Sequence, residues 1–308
     1  MINYTLGDSL TVGVGASTTA KSWVGLATPV NLARNGDMAA ELSNKINGIG
    51  GAPLVPEPSK TYSIMIGVND QKNYRGDAVK QGYYKSFLRC ALAYLFIPVK
   101  NKARDALITY TGTWGNTPVN TYGKYSATPN STAETTVNGT SVYVSYIIQN
   151  SNSYVAEIRV DGVLKKTINV STTPMGTANG SSYASACERI DGLSPGSHTV
   201  NVKVISAAAY FYLEWIGGNE QVSSPRVLLG NVIKMSNAAY TQFATSDTIV
   251  NAYNTIIDDL ITEFTADGFD VDKVDVHSVI NPLTDLTSDG VHPNDAGHLK
   301  IFQAFSAA

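Results

Sequence analysis

The chain opens Ile2-Asn3-Tyr4-Thr5-Leu6-Gly7-Asp8-Ser9-Leu10 after its first methionine. Ile2 to Leu6 reads as a short strand, and Gly7 lets the backbone turn sharply after it. Ser9 is thereby placed at the carboxyl end of a strand, where open α/β sheets hold their ligands. A hydroxyl at that point acts as a nucleophile only when a base takes its proton. By itself the stretch also fits a plain serine in a turn, so its meaning depends on what the rest of the chain supplies.

A base is available near the other end, in Asp289-Gly290-Val291-His292-Pro293. A catalytic histidine needs an orienting acid on its second ring nitrogen. An aspartate three residues earlier can meet that need within one turn of chain. Acyl transfer also builds an oxyanion, which needs donors aimed at it. Asn69, in Gly67-Val68-Asn69-Asp70 after a second strand read as Thr61 to Ile66, carries a side-chain amide at a strand end. Gly36, in Asn35-Gly36-Asp37-Met38, offers a backbone N–H ahead of a helical run from Ala39 to Ile46, with Asp37 expected as its N-cap. Asp8 and Asp70 are read as carboxylates that tie down their loops.

Each motif alone fits a turn or a cap. Their order along the chain, Ser, Gly, Asn, then Asp-x-x-His, resembles the SGNH hydrolases, also called GDSL esterases and lipases. The resemblance implies Ser9 as nucleophile, His292 as base and Asp289 as triad acid. It also implies an oxyanion hole made of the Ser9 N–H, the Gly36 N–H and the Asn69 side chain. The implied fold is α/β, an SGNH-type three-layer flavodoxin-like parallel sheet, and no metal or cofactor is required. One departure stands at Gly36-Asp37-Met38, where the family often has Gly-Asp-Thr.

The resemblance covers the two ends of the chain only. A length of 308 residues suggests about two domains, and three segments separate by texture: 1–110, 111–218 and 219–308. The first contains a candidate helix within Tyr83 to Leu95, with Phe87, Leu88, Ala91 and Leu95 as core. The third reads as a strand from Val227 to Ile233, an amphipathic helix carrying Ile249, Tyr253, Ile256, Leu260 and Phe264, a short strand from Val271 to Val276, and a closing helix from His298 to Phe305. The middle segment is rich in Ser, Thr, Asn, Gly and Tyr. Its apolar residues alternate, as in Val200, Val202 and Val204 or Ala156, Ile158 and Val160, which marks half-buried strands. Asn138-Gly139 and Asp161-Gly162 are tight-turn signals. This segment is expected to be an inserted all-β, jelly-roll-like domain.

Other motifs weigh less. Gly192-Leu193-Ser194-Pro195-Gly196 matches a nucleophile-elbow pattern but is followed by a strand where the elbow needs a helix. His298 with His292 and Asp295 fits no metal spacing. His277 stands outside the motifs, and His198 is expected to face solvent. Cys90 and Cys187 are read as buried free thiols, a single bridge between them being the alternative.

Hydrophobic residues make up 43% of the chain and charged ones 15%, so it is globular. A net charge of -3 gives no basic footprint for nucleic acid, and no apolar run is long enough to span a membrane. Met1-Ile2-Asn3-Tyr4 does not read as a signal peptide, so the chain is expected to be either intracellular or, as its composition favours, a processed or excised piece of a larger extracellular or virion-associated protein, with a homo-oligomer also open. The stretch from Tyr183 to Trp215 resembles galactose-binding-like jelly rolls and carbohydrate-binding modules in texture. The alternative is a purely structural sandwich beside the cleft. Trp114, Tyr122, Tyr125 and Tyr183 are the aromatic candidates for stacking on sugar. The expected function is that of a carbohydrate O-acetyl esterase acting on a polysaccharide, in a composition resembling tail-spike proteins. A lipase or thioesterase of the same family, an acyltransferase and a non-catalytic glycan-binding adhesin are the alternatives.

Overall fold

Two kinds of sheet divide the chain. The computed structural model describes residues 1–150, 152–171, 175, 182–220 and 223–308, so residues 151, 172–174 and 176–181 of the 111–218 segment, and residues 221–222 of the last segment, lie outside the description. The N-terminal elements are β1 (Tyr4–Gly7), α1 (Ser9–Val12), α2 (Trp23–Ala27), β2 (Val30–Asn31), α3 (Ala39–Asn47), β3 (Thr61–Met65), α4 (Val68–Tyr74) and α5 (Ala78–Phe96). The chain returns to the same sheet with β15 (Arg226–Gly230), α6 (Asn237–Phe243), α7 (Asp247–Ala266), β16 (Val271–Val274), α8 (Val276–Val279) and α9 (Asp295–Ala307). Between them run eleven described strands, β4 (Lys100–Lys102), β5 (Thr109–Thr111), β6 (Gly115–Asn116), β7 (Lys124–Ser126), β8 (Thr132–Asn138), β9 (Val142–Gln149), β10 (Tyr154–Val160), β11 (Val163–Val170), β12 (Tyr183–Ile190), β13 (Ser197–Ala207) and β14 (Phe211–Gly218).

The first sheet is wholly parallel, in the order β16-β15-β3-β1-β2. Its central strands are apolar on successive residues, with Ile64 and Met65 in β3 and Val227, Leu228 and Leu229 in β15 all buried. That continuity is what a parallel sheet covered on both faces requires. Counted within this sheet the order is 2-1-3-4-5, which puts the topological switch point between the first and third strands, β1 and β3. Its helices pack in two groups. In one, Trp23 of α2 stacks on Phe305 of α9 at 4.7 Å. In the other, Tyr84 of α5 meets Tyr253 of α7 at 4.9 Å, and Phe96 meets Phe264 at 5.2 Å. The anticipated core of α5, Phe87, Leu88, Ala91 and Leu95, is buried throughout.

The remaining sheets are antiparallel, β11-β10-β13-β8-β5 and β12-β9-β14-β7-β6, with β4 added beside β14. They face each other through pairs such as Tyr154 on Phe211, 5.3 Å apart. The alternation read in the sequence holds, since Ala156, Ile158, Val160, Val200, Val202 and Val204 are all buried. Asp161 and Gly162 both have positive φ, 52° and 79°, and close the β10–β11 hairpin as that dipeptide predicts. Asn138-Gly139 instead carries the chain from one sheet to the other.

The outer face of the second sheet lies on α3 and α5. Ser43 Oγ donates to Ser185 O at 2.8 Å, Ser185 N to Asn44 Oδ1 at 3.0 Å, and Cys187 N to Ser86 Oγ at 3.2 Å. Cys90 and Cys187 are both buried and unpaired.

Several expectations need correcting. Asp37 does not cap α3: Met38 holds the cap position, the Met38 N–H donates to Glu41 Oε2 at 2.9 Å, and Asp70 accepts the Ala39 N–H at 3.1 Å from across the fold. His198 is buried, because Asp161 Oδ2 and Ser194 O each lie 2.7 Å from one of its ring nitrogens and draw it in. Tyr122 is buried too, its hydroxyl donating to Asn47 O, so it offers no face to a sugar. The strand expected to reach Ile233 ends at Gly230, and α9 begins at Asp295 because Asn294 Oδ1 caps it through the Ala296 and Gly297 N–H groups.

Candidate active site

The site is assembled at the switch point from three strand ends and one C-terminal turn. Strand β1 ends in Gly7, whose φ is +151°, and a Cβ there would lie 2.2 Å from Met65 O of β3. Only glycine lets β1 turn this close to its neighbour. Asp8 then caps α1, its Oδ1 accepting the Leu10 N–H at 3.0 Å. Ser9 follows as the first residue of that helix, where a backbone N–H has no intrahelical acceptor. Asp8 is fully buried, and burial pushes its carboxyl up to about 7.

From the other end of the chain, Thr287 to His292 forms a tight turn. Thr287 N donates to His292 O at 2.8 Å and Gly290 N to Thr287 O at 3.0 Å. Gly290 has φ +70°, and a Cβ on it would strike Ser236 Oγ at 1.9 Å. Asp289 Oδ1 accepts three bonds inside this turn, from Thr287 Oγ1 at 2.8 Å, Val291 N at 2.8 Å and His292 N at 2.9 Å. Its Oδ2 lies 2.6 Å from His292 Nδ1. Partial burial alone would raise the Asp289 carboxyl, but the donors from His292, Val291 and Thr287 outweigh it and hold the group well below the usual carboxylate range.

His292 Nε2 is 2.9 Å from Ser9 Oγ. With Asp289 beside Nδ1, the network assigns the proton to Nδ1 and leaves Nε2 to accept from the serine hydroxyl. Residues 283 positions apart are thus joined in one chain of hydrogen bonds, Ser9 to His292 to Asp289. The two loops are also latched together. Asp295 accepts from the Ser17 N–H and hydroxyl, each at 2.7 Å, and pairs with Lys21 at 2.8 Å. Gly15, with φ +100°, lies so close to Pro293 that a Cβ would sit 2.1 Å from its carbonyl oxygen.

Gly36 lies in the loop after β2, with φ +78°. That loop is held by Arg34 N to Gly7 O at 3.1 Å and by Arg34 Nε to Asp37 Oδ1 at 2.7 Å. Asn69 is the second residue of α4, half-buried, and its Nδ2 donates to Asp37 O at 3.0 Å. Asn69 therefore ties the end of β3 to the Gly36 loop with one amide hydrogen and keeps the other.

The remaining histidines stand apart. His298 is buried in α9 with Nε2 3.2 Å from Val14 O, and His277 Nε2 is 3.3 Å from Asp247 Oδ1. Among the described residues there is no group of three or more His, Cys, Asp or Glu side chains arranged for a metal ion. Ser194 sits between strands β12 and β13, not on an elbow. Sequence reading missed Gly15, Ser17 and Asp295 as the latch between the loops, since nothing local links residues so far apart.

Residues 179–305 match the family model described as GDSL-like Lipase/Acylhydrolase. The resemblance to the SGNH/GDSL hydrolases read from the four motifs is thereby shown; the matched stretch contains Asp289 and His292 and leaves out Ser9, Gly36 and Asn69. No curated protein matches the chain. Among solved structures, a two-domain esterase (CEX) active on acetylated mannans is similar at 12% identity, over 73% of this chain and 91% of that chain, with a TM-score of 0.39. The CBM36-1 domain of a multidomain xylanase from the hindgut metagenome of Trinervitermes trinervoides is similar at 17% identity, over 38% and 93%, with a TM-score of 0.30. CsCBM6-3 from Clostridium stercorarium in complex with cellobiose is similar at 16% identity, over 41% and 93%, with a TM-score of 0.28.

Proposed function

We propose that this protein is a serine ester hydrolase of SGNH type whose natural substrates are O-acetylated carbohydrates. The observation that carries the hydrolase reading is the continuous Ser9–His292–Asp289 chain, with 2.9 Å and 2.6 Å links. In the reaction, His292 Nε2 takes the Ser9 proton while Asp289 steadies the imidazolium that forms. Ser9 Oγ attacks the ester carbonyl, and the oxyanion is met by the Ser9 and Gly36 N–H groups and the Asn69 amide. His292 returns the proton to the departing alcohol. Water, deprotonated by His292, then attacks the acyl-Ser9 ester and releases the acid. Every step uses groups of this chain, so no cofactor is called for.

The same reading takes the parallel-sheet region as a three-layer flavodoxin-like domain, residues 1–110 and 219–308, and residues 111–218 as an inserted jelly-roll-like one. The short β4 and β5 strands, which pair into the antiparallel sheets from Lys100 onward, would move the front boundary back from residue 110 to just before Lys100. Support for a sugar alcohol comes from Tyr125, Tyr183 and Tyr210, whose rings pack around the buried Tyr212, with Tyr210 41% exposed. Tyrosine faces and hydroxyls suit the mixed apolar and polar surface of a pyranose.

The test is hydrolysis of 4-nitrophenyl acetate beside the butyrate and octanoate, with Ser9→Ala as control. Acetate turnover that vanishes in the variant and falls with chain length is expected. A preference for octanoate would turn the reading toward a lipase. No turnover of any ester would leave a glycan-binding protein built on a hydrolase fold.

A further inference from the structure

Lys72 stands three residues beyond Asn69 on α4 and so shares its face of the helix. It is half-buried, and its Nζ lies 4.2 Å from the centre of the Phe243 ring. Phe243 ends α6, whose first turn is fixed to the His292 turn by the bond from Ser236 N to Gly290 O at 2.9 Å. Thr245 Oγ1 donates to Gln71 Oε1 at 2.7 Å and ties the two helices at the same place. The ammonium is therefore held between the Asn69 helix and the end of α6, whose start is tied to the His292 turn.

Among the described residues, Lys100, Lys102 and Lys124 also lie over aromatic rings without a carboxylate, but they stand on or beside the antiparallel sheets, whereas Lys72 shares a helix with Asn69. Lys21, Lys85 and Lys300 each contact a carboxylate, at 2.8, 2.8 and 2.6 Å. Among the described residues Lys72 meets no carboxylate within 4.0 Å and no hydrogen-bond acceptor. Its field reaches Asp8 and Asp289, one on each side of the Ser9–His292 pair, but touches neither. Burying a cation without a direct counter-ion is unfavourable, and an aromatic face offsets only part of that. A substrate anion docking beside the ester would complete the arrangement.

Resting on the reading of Ser9 as nucleophile, we propose that Lys72 is a specificity-determining residue that receives a carboxylate of the substrate, so that the preferred substrates are O-acetyl esters of acidic saccharides. In this reading the ammonium selects by charge while the triad does the chemistry.

The test uses two aryl acetates, 4-acetoxybenzoate and its uncharged methyl ester, at pH 7, each rate divided by that ester's rate of hydrolysis by hydroxide to remove the difference in leaving-group acidity. Wild type should favour the charged ester in kcat/KM, and added salt should shrink the preference. Lys72→Gln should lower the charged-to-neutral ratio about tenfold, Lys72→Arg should restore most of it, and Lys165→Gln, on an exposed strand residue, should leave it unchanged. An unaltered ratio in Lys72→Gln, or equal losses on both esters, would overturn the proposal. Calorimetry on the Ser9→Ala protein separates this from a failure of the esterase reading. 4-Hydroxybenzoate should bind it more tightly than methyl 4-hydroxybenzoate, and Lys72→Gln should abolish the difference; equal binding in the parent would overturn the proposal whether or not any ester is hydrolysed.

Discussion

Two carboxylates, one in each region, are handled in opposite ways. Asp289 sits in a turn at the edge of the parallel-sheet region with about half its side chain exposed, and its donors hold it ionised. Glu214 sits on β14 with none of its surface exposed, under α3 and α5. There, burial pushes its carboxyl up to about 8, although Ser145, Ser185 and Asn120 donate to it and pull the other way. Hydrogen bonds alone do not decide ionisation; what matters is whether they outweigh the loss of water. Asp289 stays wet enough, and well enough donated to, to do chemistry as an anion, while Glu214 is buried and serves to tie strands of the sandwich together.

The sharpest way to break this division is to remove the serine hydroxyl. Ser9→Ala should lower kcat/KM for 4-nitrophenyl acetate by roughly three or more powers of ten, with an unchanged melting temperature. A comparable rate in the variant would move the chemistry elsewhere in the molecule. Next in size, Asn69→Ala should lower kcat by about a hundredfold to a thousandfold with little effect on KM, the signature of a lost oxyanion donor. A rise in KM alone would make Asn69 a binding group.

Glu214→Gln tests the other side. Free glutamate titrates near 4.5, and Glu214 in the folded protein near 8. Between those values the unfolded chain has released a proton that the folded protein keeps, so this group's contribution to stability falls as pH rises. The melting temperature of Glu214→Gln relative to wild type should therefore climb steadily from pH 5 to pH 8, with esterase activity retained. A difference that does not vary with pH would mean that Glu214 is ionised in place. The smallest effect belongs to the seam. Tyr122→Phe removes the hydroxyl that donates to Asn47 O and leaves that buried carbonyl without it, costing about 1 kcal/mol in denaturant unfolding while leaving ester turnover intact.

Much of this was legible in local pattern. Alternation marked β10 and β13, helical spacing marked α5 and α7, and Asp161-Gly162 announced its hairpin, because these signals depend on neighbours in the chain. What failed depended on partners far away. Asp37 looked like the natural cap of α3, yet Asp70 reaches the Ala39 N–H from 31 residues on. His198 looked exposed until Asp161 and Ser194 closed on it.

The sequence by itself determined the residue types of the candidate site and their order, since Ser, Gly, Asn and Asp-x-x-His carry their chemistry wherever they are placed. It also determined the alternation that builds the sandwich. Only the tertiary structure decided that β1 and β3 lie side by side at the switch point, that Ser9 and His292 come within 2.9 Å, and that Lys72 packs on Phe243, far along the chain. Those outcomes follow from strand order and from close approaches such as Gly7 to Met65 and Gly290 to Ser236. Packing between distant segments sets them, and no window of sequence contains both partners.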